Sequence, residues 1–381
     1  MAFWLALISL ILVTALLFEL VRGNRTIRFL RDVRAVLPAS PPRVSVVVAA
    51  RDEERNLEAA LDSLLAQDYP DYEVIVVDDR SGDATPAIIA RKAACTGLLR
   101  VIRIDELPAG WLGKNHALER GAQAASGAIL IFADADVVMR SDAISRGVAC
   151  ALAADRDHIA VAPAVVAPGA LLGMLIGTFI MFFSAYARPW RAPDPGSRCF
   201  IGIGAYNLVR VEAYRAVGGH ARIAMRPDDD LMLGKIIKDA GYSQEMLFGR
   251  EVVSVEWYPS LAALARGLEK NTLAGVNYSV AAIVAGAFAQ AVLFVWPFIA
   301  VAGTFGITAL LNAAICILLL AAYADTTRIA GIPRWYAFGL PFMAVLFTGI
   351  LLRATFVTLR DDGITWRGTH YPLAALKANR V

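Results

Sequence analysis

The feature that most constrains this chain is a set of apolar stretches, each long enough to cross a lipid bilayer. A hydrocarbon core of ~30 Å needs about 20 apolar residues in a helix that rises ~1.5 Å per residue. Ala2 to Val21 meets that need almost without interruption, and Val280 to Ala300, Val301 to Tyr323 and Trp335 to Leu352 repeat it near the other end. Trp296, Trp335 and Tyr336 stand where ring anchors at a membrane–water boundary are expected. Composition agrees: 57% of residues are hydrophobic and 19% charged, against roughly 25% charged in soluble domains. The chain therefore reads as an integral membrane protein with a water-soluble part. Disordered, collagen-like and disulfide-framework classes are excluded.

The first stretch has no basic segment before it and no small-residue cleavage site before Arg22, so residues 1–21 read as an uncleaved anchor. Arg22, Arg25, Arg28, Arg31 and Arg34 recur at every third position through a basic linker, 22–42. The positive-inside rule places the domain that follows in the cytoplasm. The period of three suits a helical stripe on anionic headgroups or, more plainly, a solvated linker helix. Pro168 to Ala187 is also long enough to cross, but a crossing would put acidic motifs on opposite sides of the membrane. Residues 168–187 are therefore read as a helix on the membrane surface. The late stretches form about three spans over 279–352, followed by a basic tail, 353–381. Three spans would place that tail outside, whereas its Arg353, Arg360, Arg367, Lys377 and Arg380 favour the inside. Lys and Arg (37) nearly balance Asp and Glu (34), for a net charge of +3, which does not support nucleic-acid binding. Cys95, Cys150, Cys199 and Cys316 are scattered, without the spacing of a zinc site.

Between the apolar ends, residues 43–275 alternate strand and helix patterns. Val44–Ala50, Glu73–Val77, Leu99–Ile104, Ala128–Ala133 and His158–Val166 read as strands, the first a continuous apolar run suited to burial on both faces. Glu54–Gln67, Ala84–Ala94, Lys114–Ala125 and Ser141–Ala154 read as helices. Such alternation predicts an α/β domain with a mostly parallel sheet. Polar clusters follow three of the strands: Arg51-Asp52-Glu53-Glu54, Asp78-Asp79-Arg80-Ser81 and Asp134-Ala135-Asp136. Ligands of open α/β sheets bind outside the carboxyl ends of strands, so the three clusters are expected to converge on one crevice. No dinucleotide or P-loop glycine motif is present.

Asp134 and Asp136, two carboxylates at a strand end, suit a hard divalent cation, Mg²⁺ or Mn²⁺, on a diphosphate; a helix cap and a solvated turn are the plain alternative. Asp228-Asp229-Asp230 precedes a helix pattern beginning near Leu231. One acid suffices as a cap, while three adjacent acids raise at least one pKa and yield a usable general base. Lys114, at a helix start, suits a phosphate or a surface ion pair. Trp257-Tyr258-Pro259 suits a sugar, a lipid groove or simple packing.

These residues resemble a known family. VSVVVAARDEERNLEAALDSLLAQDYPDYEVIVVDDRSGDAT, WLGKNHALERGAQAASGAILIFADADVVM, CFIGIGAYNLVRVEAYRAVGG and DDDLMLGKIIKDAGY are similar, in that order, to motifs of family 2 inverting glycosyltransferases. The membrane arrangement is similar to the ceramide-glucosyltransferase-like, hopanoid- or carotenoid-associated branch. The resemblance implies a GT-A nucleotide-sugar-binding domain flanked by transmembrane helices, in a bacterial-type inner membrane. It implies that Arg51 and Glu53 border the nucleotide and that Asp78 and Asp79 contact the uridine of a UDP-sugar. It implies that Asp136, aided by Asp134, holds the metal, and that Asp230, second in the pair Asp229-Asp230, is the base. Lys114 would help the nucleotide diphosphate leave. Where the family carries Gln/Arg-x-x-Arg-Trp, this chain reads Arg266-Gly-Leu-Glu-Lys270-Asn271. The missing Trp argues against a processive synthase and leaves Arg266, Lys270 and Trp257 as leaving-group or acceptor-side residues. The expected reaction moves one sugar from a nucleotide-sugar donor to a lipid hydroxyl or carboxyl. A polysaccharide synthase and a non-catalytic membrane scaffold are the competing readings.

Overall fold

A computed structural model describes residues 1–381, which form two compact units. One, the sheet unit, comprises residues 27–164, 189–256 and 366–381; the other, the helical unit, comprises 1–26, 165–188 and 257–365.

The strands are β1 (Val44–Ala50), β2 (Tyr72–Asp79), β3 (Leu99–Ile104), β4 (Ile129–Asp134), β5 (Val137–Met139), β6 (His158–Ala162), β7 (Ala164–Val165), β8 (Asn207–Arg210), β9 (Gln244–Phe248), β10 (Val253–Val255), β11 (Gly363–Trp366) and β12 (Thr369–Pro372), the last two paired only with each other. Seven of them make one sheet in the order β3-β2-β1-β4-β8-β6-β9. Only β8 runs antiparallel to its neighbours, so the sheet is mostly parallel, as the strand–helix alternation predicts. The unbroken Val and Ile runs of β1 and β2 follow from this: both faces are covered and no solvent-facing position is left to alternate. Register aligns the polar strand ends, with Ala50 opposite Asp78 and Ala49 opposite Asp134. Three acidic clusters far apart in the chain thus reach one edge.

The expected elements are mostly present with shifted ends. The helix read over Glu54–Gln67 spans Leu57–Leu65, because residues 52–54 are drawn into a turn. The strand read over His158–Val166 breaks at Pro163, which has no N–H for a ladder, into β6 and β7. Strand β8, which closes the sheet between β4 and β6, has no counterpart in the sequence reading.

The basic linker is not a helical stripe. The first helix ends at Thr26, and the chain then extends so that Phe29 bridges Phe248 and Phe248 N donates to Arg28 O (2.9 Å). Arg28 and Arg31 point to Glu245 and Glu251 instead of to headgroups. The division into domains also differs from the sequence reading. Residues 165–188 and 257–275, read as part of the soluble domain, group with the helical unit. There Leu172, Leu175 and Ile176 share an apolar cluster with Leu264, Leu268, Met343 and Phe347. Residues 366–381, the end of the basic tail read over 353–381, belong to the sheet unit.

The helical unit holds five helices long and apolar enough to cross a membrane: Ala2–Thr26, Ala170–Arg191, Val280–Gly303, Gly306–Ala330 and Arg334–Arg360. The third carries a π segment, Ala291–Val295, just before Pro297. A wider turn there accommodates a proline that cannot donate to the preceding turn.

Within the sheet unit, the helix Asp229–Asp239 lies directly against the segment 201–204. A Cβ on Gly234 would stand 1.9 Å from Ile201 O, and one on Gly202 1.8 Å from Asp230 O. The obstacles are backbone atoms, so the helix itself must move. Gly234→Ala is therefore expected to destabilise by ~1–3 kcal/mol, although alanine favours an isolated helix by ~1 kcal/mol. Denaturant unfolding followed by tryptophan fluorescence measures this; an unchanged or raised midpoint contradicts it.

Candidate active site

Two loops at the strand ends are laced together before any ligand arrives. After β1, Asp52 takes a left-handed conformation (φ 53°), and after β2 so does Arg80 (φ 60°). Asp52 N donates to Ser81 Oγ (3.1 Å), Gly82 N to Asp52 Oδ1 (2.8 Å), and Glu53 N to Thr85 Oγ1 (2.8 Å). Asp78 is buried and accepts from Ser81 N (3.2 Å), so its carboxylate holds the turn. Asp79 is held between cations, with Arg80 Nε at 2.8 Å and Arg51 at 3.6 Å. The helix Gly113–Ala124 begins against this group. A Cβ at Gly113 would lie 2.2 Å from Asp79 Oδ2, so a glycine is required for that approach.

The neighbouring pocket is lined by Lys114, Asp134, Gly204, Asn207, Asp229 and Asp230. Lys114 Nζ stands 2.8 Å from Asp134 Oδ1 and 3.2 Å from Asp229 Oδ2. Burial pulls the ammonium pKa down, but Asp134, Asp229 and Asp230 more than offset it and hold the pKa well above its ordinary value. Asp230 accepts from Gly204 N (2.8 Å) and from Leu231 N (2.8 Å), which fixes both oxygens. Burial, then the negative charge of Asp229, raise its pKa against the pull of Lys114. Gly204 also packs on the Asp134 carboxylate, where a Cβ would come within 2.6 Å.

Asp136 is half-buried, and burial, followed by the charges of Asp134 and Glu53, raises its pKa. Glu53 is raised by burial first; Arg367 works against that shift, and Asp134 adds to it. Negative charge is thus in excess at this end of β4. No group of three His, Cys, Asp or Glu side chains is arranged to hold a metal ion by itself. Two carboxylates in excess of their cations fit a hard divalent ion that takes its other oxygens from a bound ligand.

The structure brings Lys114, Asp134, Asp229 and Asp230 together, and joins Arg51 to Asp79 and Glu53 to Arg367. Trp257, Arg266 and Lys270 are not among the pocket residues; they belong to the helical unit, where Trp257 packs on Phe179 (4.6 Å between ring centres). Sequence reasoning missed the tail. Arg367 pairs with Glu53 and donates to Asp52 O (3.1 Å), Tyr371 Oη accepts from Gly113 N (3.4 Å), and Asn379 Oδ1 accepts from Met225 N (2.8 Å). Nothing local in a basic C-terminal segment signals such contacts. It also missed Arg226, whose spacing from Asp228 was a usable signal.

Of the three adjacent acids, Asp228 does not serve as a side-chain cap. It occupies the N-cap position but makes no side-chain capping bond. Instead Arg226 donates to both its oxygens, at 2.9 and 2.8 Å, and the two side chains are only 3% and 7% exposed. Removing one partner leaves a buried charge unpaired, so Asp228→Ala is expected to cost ~3–5 kcal/mol. Asp239→Ala, which breaks only an exposed i,i+4 pair with Lys235, is expected to cost ~0.5 kcal/mol or less. Thermal unfolding in detergent compares the two; equal losses contradict the buried-pair account.

Several known proteins are similar to this chain. Residues 45–218 match the family described as Glycosyl transferase family 2. Beta-monoglucosyldiacylglycerol synthase of Trichormus variabilis is 35% identical over 114 residues, 29% of this chain and 24% of that protein. Glycosyltransferase AglE of Haloferax volcanii is 33% identical over 109 residues, 28% of this chain and 34% of that protein. The chain thus spans well under half the length of these two curated relatives. The 4,4'-diaponeurosporenoate glycosyltransferase of Staphylococcus aureus is 23% identical over 344 residues, 87% of this chain and 88% of that protein. Among solved structures, the mannosyltransferase PcManGT from Pyrobaculum calidifontis, in complex with GDP-Man and Mn²⁺, is similar over 95% of this chain and 99% of that chain, with TM-score 0.54 and 20% identity. The likeness in structure shows a GT-A fold, and the match to the Glycosyl transferase family 2 model covers residues 45–218, a little under half of the chain.

Proposed function

We propose that this chain is a membrane-bound inverting glycosyltransferase that moves one sugar from a nucleotide-sugar, a uridine diphosphate sugar, to the hydroxyl of a lipid. The observation that carries the reading is the Asp230 carboxylate, held by two backbone N–H groups in the pocket that also contains Lys114, Asp134 and Asp229. The lipid acceptor is supported by the apolar helices and by two relatives named for glucosyldiacylglycerol synthesis and diaponeurosporenoate glycosylation. The sheet unit is assigned to the cytoplasm of a bacterial-type inner membrane, on the arginine-rich side of the first helix, where activated sugars are made.

The reaction is a single displacement. An Asp230 oxygen takes the proton of the acceptor hydroxyl as that oxygen bonds to the anomeric carbon from the face opposite the diphosphate. The bond from that carbon to the diphosphate oxygen breaks, and its electron pair leaves with the nucleoside diphosphate. Lys114, set by Asp134 and Asp229, offsets the charge that develops there. Asp134 and Asp136 are the residues that would hold Mg²⁺ or Mn²⁺, which when bound supplies positive charge to the diphosphate. Arg51 and Asp79 border the nucleotide, with Glu53 positioned by Arg367 and Asp78 shaping the turn.

Membrane fractions supplied with nucleotide-sugars and a total lipid extract, read by mass spectrometry, test the reaction. A lipid carrying one added sugar supports it; a polymer, or no transfer from any donor, overturns it. Asp230→Asn is expected to keep donor affinity in calorimetry and to lose ~10²–10⁴ in single-turnover rate, because an amide cannot accept the proton. With the raised pKa of Asp230, the wild-type rate should fall on acidification at a pH above the ordinary carboxylate range. Asp136→Ala is expected to remove the part of donor binding that depends on Mg²⁺ or Mn²⁺. Metal-dependent heats that persist in the variant would show that the pair is structural.

A further inference from the structure

The sheet unit is built from three separate stretches, 27–164, 189–256 and 366–381. A sheet cannot be divided across hydrocarbon, where unpaired strand edges find no hydrogen bonds. The first two stretches share the seven-stranded sheet, and the third is tied to them by the Arg367–Glu53 pair and by the bonds from Gly113 N to Tyr371 Oη and from Met225 N to Asn379 Oδ1, so all three lie on one face of the membrane and each excursion between them crosses an even number of times. The excursion 165–188 holds a single long helix, Ala170–Ala187, so that helix does not cross. The excursion 257–365 holds three helices that are long and apolar enough. One of them must remain on the near face.

We infer that the helix that stays is Leu340–Arg360, that it lies flat in the near leaflet with one apolar stripe among the lipid acyl chains, and that only Ala2–Thr26, Val280–Gly303 and Gly306–Ala330 cross. Arg25 is two residues before the sheet unit begins at Ile27, so it marks the near end of the first helix. Arg25 pairs with Asp325 at 2.8 Å, which places the end of Gly306–Ala330 on the near face too. That helix therefore runs from far to near, and Val280–Gly303 runs from near to far. The chain is then on the near face at Gly331, and it is there again at Trp366. Leu340–Arg360, between those points, makes no net crossing.

Its side chains agree. Met343, Phe347 and Ile350 pack against Leu175, Leu264 and Leu268. Arg353, well inside the helix, pairs with Glu269 of the helix Leu261–Thr272, a placement unsuited to mid-bilayer. On the other side Phe342, Val345, Leu352 and Phe356 are each at least 42% exposed. Their spacing of three, four and seven makes one stripe along the helix, with Gly349 at its middle. Nothing in the chain covers that stripe, and the parity of the chain puts it at the membrane surface, so lipid tails are its occupant. The inference rests on the membrane reading of the helical unit and is independent of the reaction.

The full-length chain, with its four cysteines replaced by alanine, carries one thiol at a time: Phe305→Cys, Arg334→Cys or Ala378→Cys. Each is exposed in intact and in permeabilised cells to a maleimide that cannot cross membranes, and labelling after permeabilisation confirms that the thiol is present and reachable. Positions 334 and 378 are expected on one face and 305 on the other. Labelling of 305 alone in intact cells also agrees with a cytoplasmic sheet unit. Labelling of 334 and 378 but not 305 reverses that orientation and leaves this inference standing. A 378 thiol on the same face as 305 overturns it. Nitroxides at residues 342, 349 and 356 should report equal, shallow depths; a deepest reading at 349 means a crossing helix. If the cysteine-free chain fails to fold, epitope tags before Met1 and after Val381 of the native chain replace the thiols. They should fall on opposite faces, and tags on the same face overturn the inference.

Discussion

Lys114 is the group on which the pocket depends. Its ammonium is shared between Asp134, at the end of β4, and Asp229, at the start of the helix Asp229–Asp239. Three elements from distant parts of the chain therefore meet through one buried cation. Without it, Asp134, Asp229 and Asp230 would repel one another in a place where water screens little. The arrangement lets Asp230, the proposed base, sit among other carboxylates without the pocket opening. Asp230 retains a raised pKa because burial and the charge of Asp229 outweigh the pull of Lys114, while Gly204 N and Leu231 N orient its two oxygens.

Close backbone approaches are the second constraint. Gly113, Gly202, Gly204 and Gly234 each stand where a Cβ would meet an acidic side chain or a backbone carbonyl of the site. They act by absence: the helix Gly113–Ala124 can begin against Asp79, and the segment 201–204 can lie on the turn that presents Asp230. The Arg226–Asp228 pair then pins that turn from the buried side. Substitutions at these positions alter the catalytic geometry without touching a ligand.

The C-terminal residues return to the sheet unit after the last apolar helix. Arg367 closes on Glu53, Tyr371 meets Gly113, and Val381 packs against the core formed by Leu118, Val209 and Leu233. The loops after β1 and β2 and the start of the helix Gly113–Ala124 are thus completed by a segment more than two hundred residues downstream. These contacts of the segment are the observation on which the proposed threading of the intervening helices rests.

Local physics was legible in the sequence. Apolar runs of membrane length, the strand–helix alternation and the acidic clusters at strand ends each follow from short-range periodicity, and the motif order around Asp79, Asp136 and Asp230 pointed to the candidate site. Register alone then brought those clusters to one edge. Pairing partners were not legible. That Lys114 meets Asp134 and Asp229, that Asp228 is taken by Arg226 and not used as a cap, that Arg28 and Arg31 serve Glu245 and Glu251, and that Arg367 reaches Glu53 are all long-range choices among many possible cations and carboxylates. Hydropathy likewise scores each helix by itself, so it ranks Leu340–Arg360 with the spanning helices. Whether such a helix crosses is decided by where the chain on either side of it is bound, and only the tertiary structure holds that information.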